Sequence, residues 1–485
     1  MHDVTPFALV VVVGAVALLL AIGSSRVSSW LHVPSPALFL VAASICSGVF
    51  PQLGSLSMVT DQRIVTVAIV VILFDGGMHI GLSRFRPVAG AVVWLGVAGT
   101  FVTAGALAMG VHLILGFDWL PALLLGTALA PTDPATVFSV LGRREVSGRT
   151  GTLLEGEAGF NDPVGIALMV AILGSTGAGW GAVAQGSLEF VLQMAVGLAF
   201  GVAGGLALRW LLCHLPMPNE ALYPLRAVAF AFLVYGAATA AHGSGFLAVI
   251  LTGILVGDTR APYKREVERF ASALGSLGEI VAFTVLGLSI PLSVALGDGH
   301  AWTGLALAVL LVLVVRPVFV GLVLAPIRLR RGERAFVLWA GLKGVVPILL
   351  GTYAVAEGAP EADRIYAVVF VVVLLSVVVQ GGLVPTLARV WRVPMREVEQ
   401  EPWAMGMRFR DQPEGLHRYV VEQGSQADGA TIRDLPLDED VWVSVVSRGG
   451  RMVQVSGTTT LEAGDEVLAI TSDSSLADGL FRVAT

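Results

Sequence analysis

Residues 152–170 read TLLEGEAGFNDPVGIALMV, and three acids, Glu155, Glu157 and Asp162, stand in a stretch otherwise suited to the middle of a lipid bilayer. A carboxylate there costs several kcal/mol even on lenient insertion scales, so ionisable residues at that depth are rare and mark function. The composition around the stretch says that the setting is a membrane. Of 485 residues, 55% are hydrophobic and 14% charged, with mean hydropathy +0.80, whereas a soluble domain carries roughly 25% charged residues.

Apolar runs recur from Phe7 to about Arg389, and a hydrocarbon core of ~30 Å sets their number at about thirteen. The expected spans are 6–24, 36–52, 64–82, 88–115, 119–141, 152–174, 187–213, 224–242, 244–258, 274–296, 302–327, 333–357 and 364–390. The opening MHDVTPF lacks the basic region and cleavage site of a signal peptide, so the first span is read as a retained helix. Loops after odd-numbered spans, together with Arg149 and Arg226 at the ends that face them, hold nineteen lysines and arginines against two, Arg63 and Arg364, on the other side. That bias puts the N-terminus outside and the C-terminus in the cytoplasm. Two cysteines, Cys46 and Cys213, fall in expected spans; with no CxxC spacing they read as buried small hydrophobes, and no metal site is expected.

After Trp391 the material changes. From Glu401 to Thr485 there are 14 acidic and 7 basic residues, and VWVSVVSR, RMVQVSG and DEVLAITS are short β-branched runs. The pair VWVSVVSRGGRMVQVSG reads as a hairpin turning at Gly449-Gly450. The expected division is a membrane domain over 1–392, a proline-bearing linker over 393–415 and a small cytoplasmic α/β or mostly β domain over 416–485.

Polar residues within the spans cluster. The fifth carries Thr132 and Asp133 between Pro131 and Pro134 in ALAPTDPATVF. Proline removes a donor and blocks the helical ladder, so this segment is expected to be unwound at membrane depth, where irregular backbone survives only by lining a cavity or being held by protein. In the sixth span Glu157 and Asn161 share one helix face, and Glu155 and Asp162 another. Glu155 or Glu157 at the helix start would also offset the N-terminal dipole. Arg316 precedes Pro317 in LVVRPVFVG, and Lys343 sits in WAGLKGVVPILLG, a second interrupted span. Interrupted helices in opposite halves of a transporter point to a binding site built from inverted repeats; the alternative for both cations is snorkelling to the headgroups. Asp75 in VILFDGGMHIGL is a secondary candidate, read equally as structural, and His79 one turn on is read as a satisfied packing histidine.

The motifs TALAPTDPATVFSVL, EGEAGFNDPVGIAL, GSGFLAVILTGILVGD, GLKGVVPI and VLLSVVVQGGLVPTLAR, in this order, resemble the monovalent cation/proton antiporter superfamily in its Asn-Asp branch. With LFDGGM they look most like NhaP-type potassium/proton antiporters. ADGATIRDLPLDEDVWVSVVSRGG and TTLEAGDEVLAI in the tail are similar to the C-terminal half of the RCK (TrkA-C) module.

The resemblance implies an all-α polytopic membrane protein of the bacterial inner membrane. It would have about thirteen transmembrane helices with inverted repeats, two of them interrupted, a small TrkA-C-like tail and a homodimeric assembly. It further implies that Asp162 carries either the proton or the cation and that Asp133 and Thr132 complete the site. Asn161 would stand where the electrogenic branch has an aspartate, and Glu157 would orient the site through Lys343 or Arg316. Expected partners are K⁺ or Na⁺ with H⁺, membrane lipid and a small ligand at the tail, with no cofactor and no nucleic acid. The chain departs from the family at Ala158, where a small hydroxyl residue is common, and at Lys343, where arginine is common. A potassium channel would need a carbonyl filter such as TVGYG and an intramembrane hydrolase a GxSxG, and both are absent. Electroneutral K⁺/H⁺ exchange is the expectation, with Na⁺(Li⁺)/H⁺ exchange as the alternative.

Overall fold

The computed structural model of the chain describes residues 23, 34–50, 52, 57–133, 136–137, 141, 144–146, 148–175, 180–397, 416–437, 441–449, 451–471 and 480–481. The first expected span (Gly23 apart), Pro134, most of the linker and Gly450 lie outside them. The chain divides into two compact units, residues 1–400 and 401–485.

The first unit is helical: α1 (Ser35–Val49), α2 (Met58–Phe85), α3 (Ala89–Leu115), α4 (Trp119–Ala128), α5 (Gly148–Gly174), α6 (Trp180–His214), α7 (Leu222–Ala240), α8 (Gly245–Gly257), α9 (Lys264–Leu288), α10 (Leu292–Leu296), α11 (His300–Leu324), α12 (Arg331–Trp339), α13 (Val345–Ala356) and α14 (Ala362–Val390). Among the described residues eight helices are long and apolar enough to cross a membrane. Boundaries move for local reasons. The third span starts earlier than expected, at Met58, because Ser57 caps it by accepting from the Thr60 N–H at 3.2 Å. The tenth starts at Lys264, because the charged turn KREVER is helical, and stops at Leu288 ahead of Pro291. The eighth and ninth are separate helices, with Ser244 capping α8.

α2 and α8 touch backbone to backbone. A Cβ at Gly77 would sit 2.5 Å from the Ile250 carbonyl oxygen, and one at Gly253 would sit 2.5 Å from that of Phe74. Small residues permit this approach, which dispersion then rewards in a bilayer that offers no hydrophobic drive between helices. The two cysteines correct the expectation of burial: Cys46 and Cys213 are free and exposed, on outward helix faces.

The fifth and twelfth spans are the broken ones. α4 ends at Ala128 and the chain runs non-helically through 129–133, while residues 340–344 separate α12 from α13. α11 widens into a π-helix over Leu311–Val320, around Pro317, and α14 does so over Ser376–Gln380. Such bulges recur where a helix must present side chains off its regular register. β1 (Arg144–Val146) pairs antiparallel with β2 (Met395–Glu397), a short ribbon that the sequence pattern does not announce.

The second unit holds a four-stranded antiparallel sheet in the order β3 (Leu416–Val420), β6 (Glu466–Thr471), β4 (Val441–Arg448), β5 (Arg451–Val453). The expected hairpin pairs Arg448 with Arg451, and Gly449 takes a φ of 54° in the turn. Tyr419, Val446, Val467 and Phe481 belong to its core. Asp465 is buried beside it and accepts from Arg448 through Nε and a terminal nitrogen, both at 2.8 Å, and from the Glu462 N–H at 2.9 Å.

Burial works to raise the Asp465 carboxyl, but the Arg448 guanidinium and the Glu462 amide overcome it and hold the group below the ordinary carboxylate range. A carboxyl lowered on folding stabilises fully above that range and loses its contribution as pH falls through it. Limited proteolysis of the full chain across pH should therefore find the wild-type tail labile only in acid and the Asp465→Asn tail labile at neutral pH. Equal resistance of the two at neutral pH would contradict this role for the pair.

Candidate functional site

The two helix breaks cross. The Asp133 N–H donates to the Leu342 carbonyl at 2.9 Å, and a Cβ on Gly344 would fall 2.0 Å from Asp133 Oδ2, so only glycine fits there. Each break leaves carbonyls at a helix C-terminus without helical partners, which hydrocarbon cannot solvate. A buried cation repairs each one, Lys343 across from the other half of the sequence and Arg316 from the neighbouring α11. Lys343 Nζ donates to the Ala130 and Pro131 carbonyls at 3.0 and 2.9 Å. Arg316 donates through Nε to the Leu338 carbonyl at 2.8 Å and through a terminal nitrogen to that of Val337 at 3.0 Å. Both charges also suit the negative end of the helix they cap.

The basic partner of Glu157 is Arg316, whose terminal nitrogens lie 3.3 and 3.4 Å from Glu157 Oε1. Lys343 is 0% exposed and Arg316 2%, so neither snorkels to a headgroup. The π-helical turn of α14 completes the scaffold. Ser376 Oγ accepts from the Lys343 N–H at 3.0 Å and donates to Gln380 Oε1 at 2.8 Å; Gln380 Nε2 donates to the Trp339 carbonyl at 2.5 Å, and Trp339 Nε1 to the Gln380 carbonyl at 3.2 Å.

Around this crossing lies a cavity of about 370 Å³, bounded by α2, α5, α8, α9, the break after α4 and the first turn of α13. Asp162, Asp133, Thr132, Asp75, Glu155 and Glu279 reach it. Thr132 Oγ1 accepts from Asn161 Nδ2 at 2.7 Å, and Asp133 Oδ2 accepts from Thr136 Oγ1 at 2.7 Å. Glu157 and Asn161 point to the protein side of α5, Glu155 and Asp162 to the cavity side, which is the division that their spacing predicts. Among the described residues Asp162 makes no hydrogen bond or ion pair, while Asp133, Asn161 and both buried cations are engaged.

Asp75 accepts from Ser272 at 2.8 Å, and His79 Nδ1 lies 3.2 Å from Asp75 Oδ1 and 3.0 Å from its carbonyl oxygen. The ring of His79 is 57% exposed and the Asp75 side chain 19%, so the pair marks the open end of the cavity. Sequence reasoning passes over Glu279 and Ser276 on α9, which share this cavity, and over Ser376 and Gln380. Glu279 in LGSLGEIVAF is a membrane acid by the same criterion that singles out Asp162, and that signal was available.

The profile of the family described as "Sodium/hydrogen exchanger, transmembrane" matches residues 14–390, and that of the TrkA-C domain matches residues 416–479. The chain is 34% identical to the K(+)/H(+) antiporter NhaP of Alkalimonas amylolytica over 79% of its own length and 66% of that protein's. It is 30% identical to the K(+)/H(+) antiporter NhaP2 of a Shewanella species over 96% of its length and 81% of that protein's. The fold matches that of the sodium proton antiporter MjNhaP1 from Methanocaldococcus jannaschii with a TM-score of 0.66 at 22% identity, covering 77% of this chain and 99% of that one.

Removing one member of a buried ion pair leaves the other uncompensated, at a cost of ~3–5 kcal/mol. Thermal unfolding of the detergent-solubilised protein should show Arg316→Met far less stable than wild type and the double variant Glu157→Gln/Arg316→Met partly restored. A double variant no more stable than the single one would place the loss in the carbonyl contacts instead.

Proposed function

We propose that this chain, which belongs to the sodium/hydrogen exchanger family, exchanges one monovalent cation, K⁺ ahead of Na⁺, for one H⁺ through Asp162. The observation that carries this reading is the charge balance of the crossing. Lys343 and Arg316 are committed to carbonyls and to Glu157, and Asp162 remains in the cavity without a direct partner among the described residues. A bound proton and a bound alkali ion are alternative ways of neutralising that carboxylate. Only the neutralised site crosses the low-dielectric barrier cheaply, so each passage carries cargo and an empty return is suppressed. Asn161 supplies a polar neighbour without a second charge, which keeps the exchange electroneutral. Oxygens of Asp162, Asp133 and Thr132, with carbonyls of the unwound segment, supply the several ligands an alkali ion prefers. Ala158 lines the cavity and offers none, a loss that costs a small, tightly hydrated ion more than K⁺.

On this reading the protein is a transporter without enzymatic chemistry. It sits in a bacterial inner membrane as a homodimer, N-terminus outside, with the 393–415 linker leading to a cytoplasmic tail that responds to a small ligand. The cavity then opens toward the cytoplasm, because Asp75 and His79 near the end of α2 and Glu155 near the start of α5 lie on the side of the basic loops. The family relation of two K(+)/H(+) antiporters supports K⁺ as the ion; Na⁺ is the competing one.

Purified protein in liposomes loaded with a pH dye and given a proton gradient should dequench the dye on addition of KCl at lower concentration than of NaCl. Asp162→Asn should abolish both responses without loss of folded protein. Normal exchange by that variant would remove Asp162 from the mechanism, and a lower half-maximal concentration for Na⁺ would make this a sodium exchanger.

A further inference from the structure

A second cavity, of about 610 Å³, lies apart from the ion site. Gly90, Ala91 and Trp94 from the first turns of α3, Arg149 from the start of α5, and Ile327 and Arg328 from the turn after α11 line it. All three stretches adjoin the arginine-bearing loops that follow odd-numbered spans. Arg149 and Arg328 are exposed, and among the described residues neither guanidinium has a carboxylate or carbonyl partner. Among the described residues no acid lines the groove.

Trp94 supplies the second half of the argument. Its indole is 50% exposed, yet it is pinned by a hydrogen bond from Nε1 to the Val323 carbonyl at 2.9 Å. An amphipathic ring held at the water–lipid boundary is the usual companion of headgroups. Gly90 and Ala91 leave the floor open, and Val93 and Leu322 nearby in sequence expose apolar surface, 42% and 69%, of the kind acyl chains cover. Two uncompensated guanidiniums fit one tetrahedral phosphate, which accepts their N–H groups in pairs.

We propose that this groove binds the phosphodiester headgroup of an anionic phospholipid of the cytoplasmic leaflet, with Arg149 and Arg328 gripping the phosphate and Trp94 packing beside the glycerol region. The choice of leaflet rests on the orientation given under the proposed function. Arg149 lies about two turns before Glu157, ~12 Å along α5, and Arg328 follows the helix that carries Arg316. A headgroup on both therefore ties together the cytoplasmic ends of the two helices that share the buried ion pair, without touching the ion ligands. Its effect is on the rate and integrity of the transport core rather than on cation affinity.

The test compares the full-length protein with Arg149→Gln/Arg328→Gln. Native mass spectrometry after equilibration with phosphatidylglycerol and phosphatidylcholine reads lipid retention; exchange in vesicles of phosphatidylcholine with and without phosphatidylglycerol reads the consequence. Wild type should retain phosphatidylglycerol in preference, and the double variant should hold it roughly 30-fold more weakly, since each basic side chain near the membrane surface contributes about a factor of five. The stimulation of exchange by phosphatidylglycerol should disappear in the variant while the K⁺ concentration for half-maximal rate stays unchanged. If the double variant does not fold, either single variant suffices, with a loss of about fivefold. Equal retention by variant and wild type, or no preference over phosphatidylcholine, overturns the proposal. Displacement of the lipid by inorganic phosphate at equal concentration reassigns the groove to free phosphate and overturns it as well. Retention is read without transport, so a failure of the K⁺/H⁺ reading leaves this result intact.

Discussion

A helix that breaks inside a membrane exposes carbonyls that nothing in hydrocarbon can solvate, and the protein is organised around paying that debt. Two breaks are brought into contact, so that the Asp133 amide answers the Leu342 carbonyl directly. What remains is answered by two buried cations, Lys343 from the opposite half of the sequence on the break of the fifth span and Arg316 from α11 on the first half of the twelfth. The π-helical turns follow from the same need. In α11 the turn contains Arg316 itself, and in α14 it contains Ser376 and Gln380, which bond the backbone of the twelfth span within its break and at the end of α12.

The choice of cation at each break follows from the number and direction of acceptors. Arg316 serves two carbonyls and a carboxylate lying in different directions, a task for a planar fork with several donors. Lys343 serves two consecutive carbonyls, Ala130 and Pro131, which a compact ammonium reaches from one point. An ammonium also leaves its charge closer to the site, where Asp162 feels it without being bonded to it. Lysine at position 343 thus fits the local geometry, because the pairing with a carboxylate belongs to Arg316, whose two terminal nitrogens converge on one oxygen of Glu157.

Much of this was legible in the sequence, for physical reasons that also explain what was not. Apolar length fixes which runs cross the bilayer, and proline at 131 and glycine at 341 and 344 mark where backbone cannot stay helical. The seven-residue spacing of Glu155 and Asp162 put both on the cavity side of α5. Spacing within one helix cannot say which of two distant cations meets Glu157, since that depends on how α5 and α11 pack. Gln380 and Ser376 were invisible for a related reason: small polar residues in a membrane span have no periodic signature until the carbonyl or amide that they satisfy is placed opposite. The cysteines show the limit of apolar patterning, because a helix in lipid is hydrophobic on its outer face as well as its inner one.

Glu279 shows where the charge argument leads. Among the described residues its Oε1 has no hydrogen-bond partner, and it shares one cavity with Asp75, Glu155, Asp133 and Asp162. Five carboxylates lining about 370 Å³ make the cavity strongly acidic, and like charges brought together disfavour one another's ionisation. On the proposed reading, a cation that enters beside His79 meets acidic residues on its way to Asp162. On that reading the acidic cavity raises the local cation concentration, in the way that a charged low-dielectric cleft focuses its field. The buried pair Glu157–Arg316 lies on the far side of α5 and is electrically neutral, so it fixes that helix without competing for the ion.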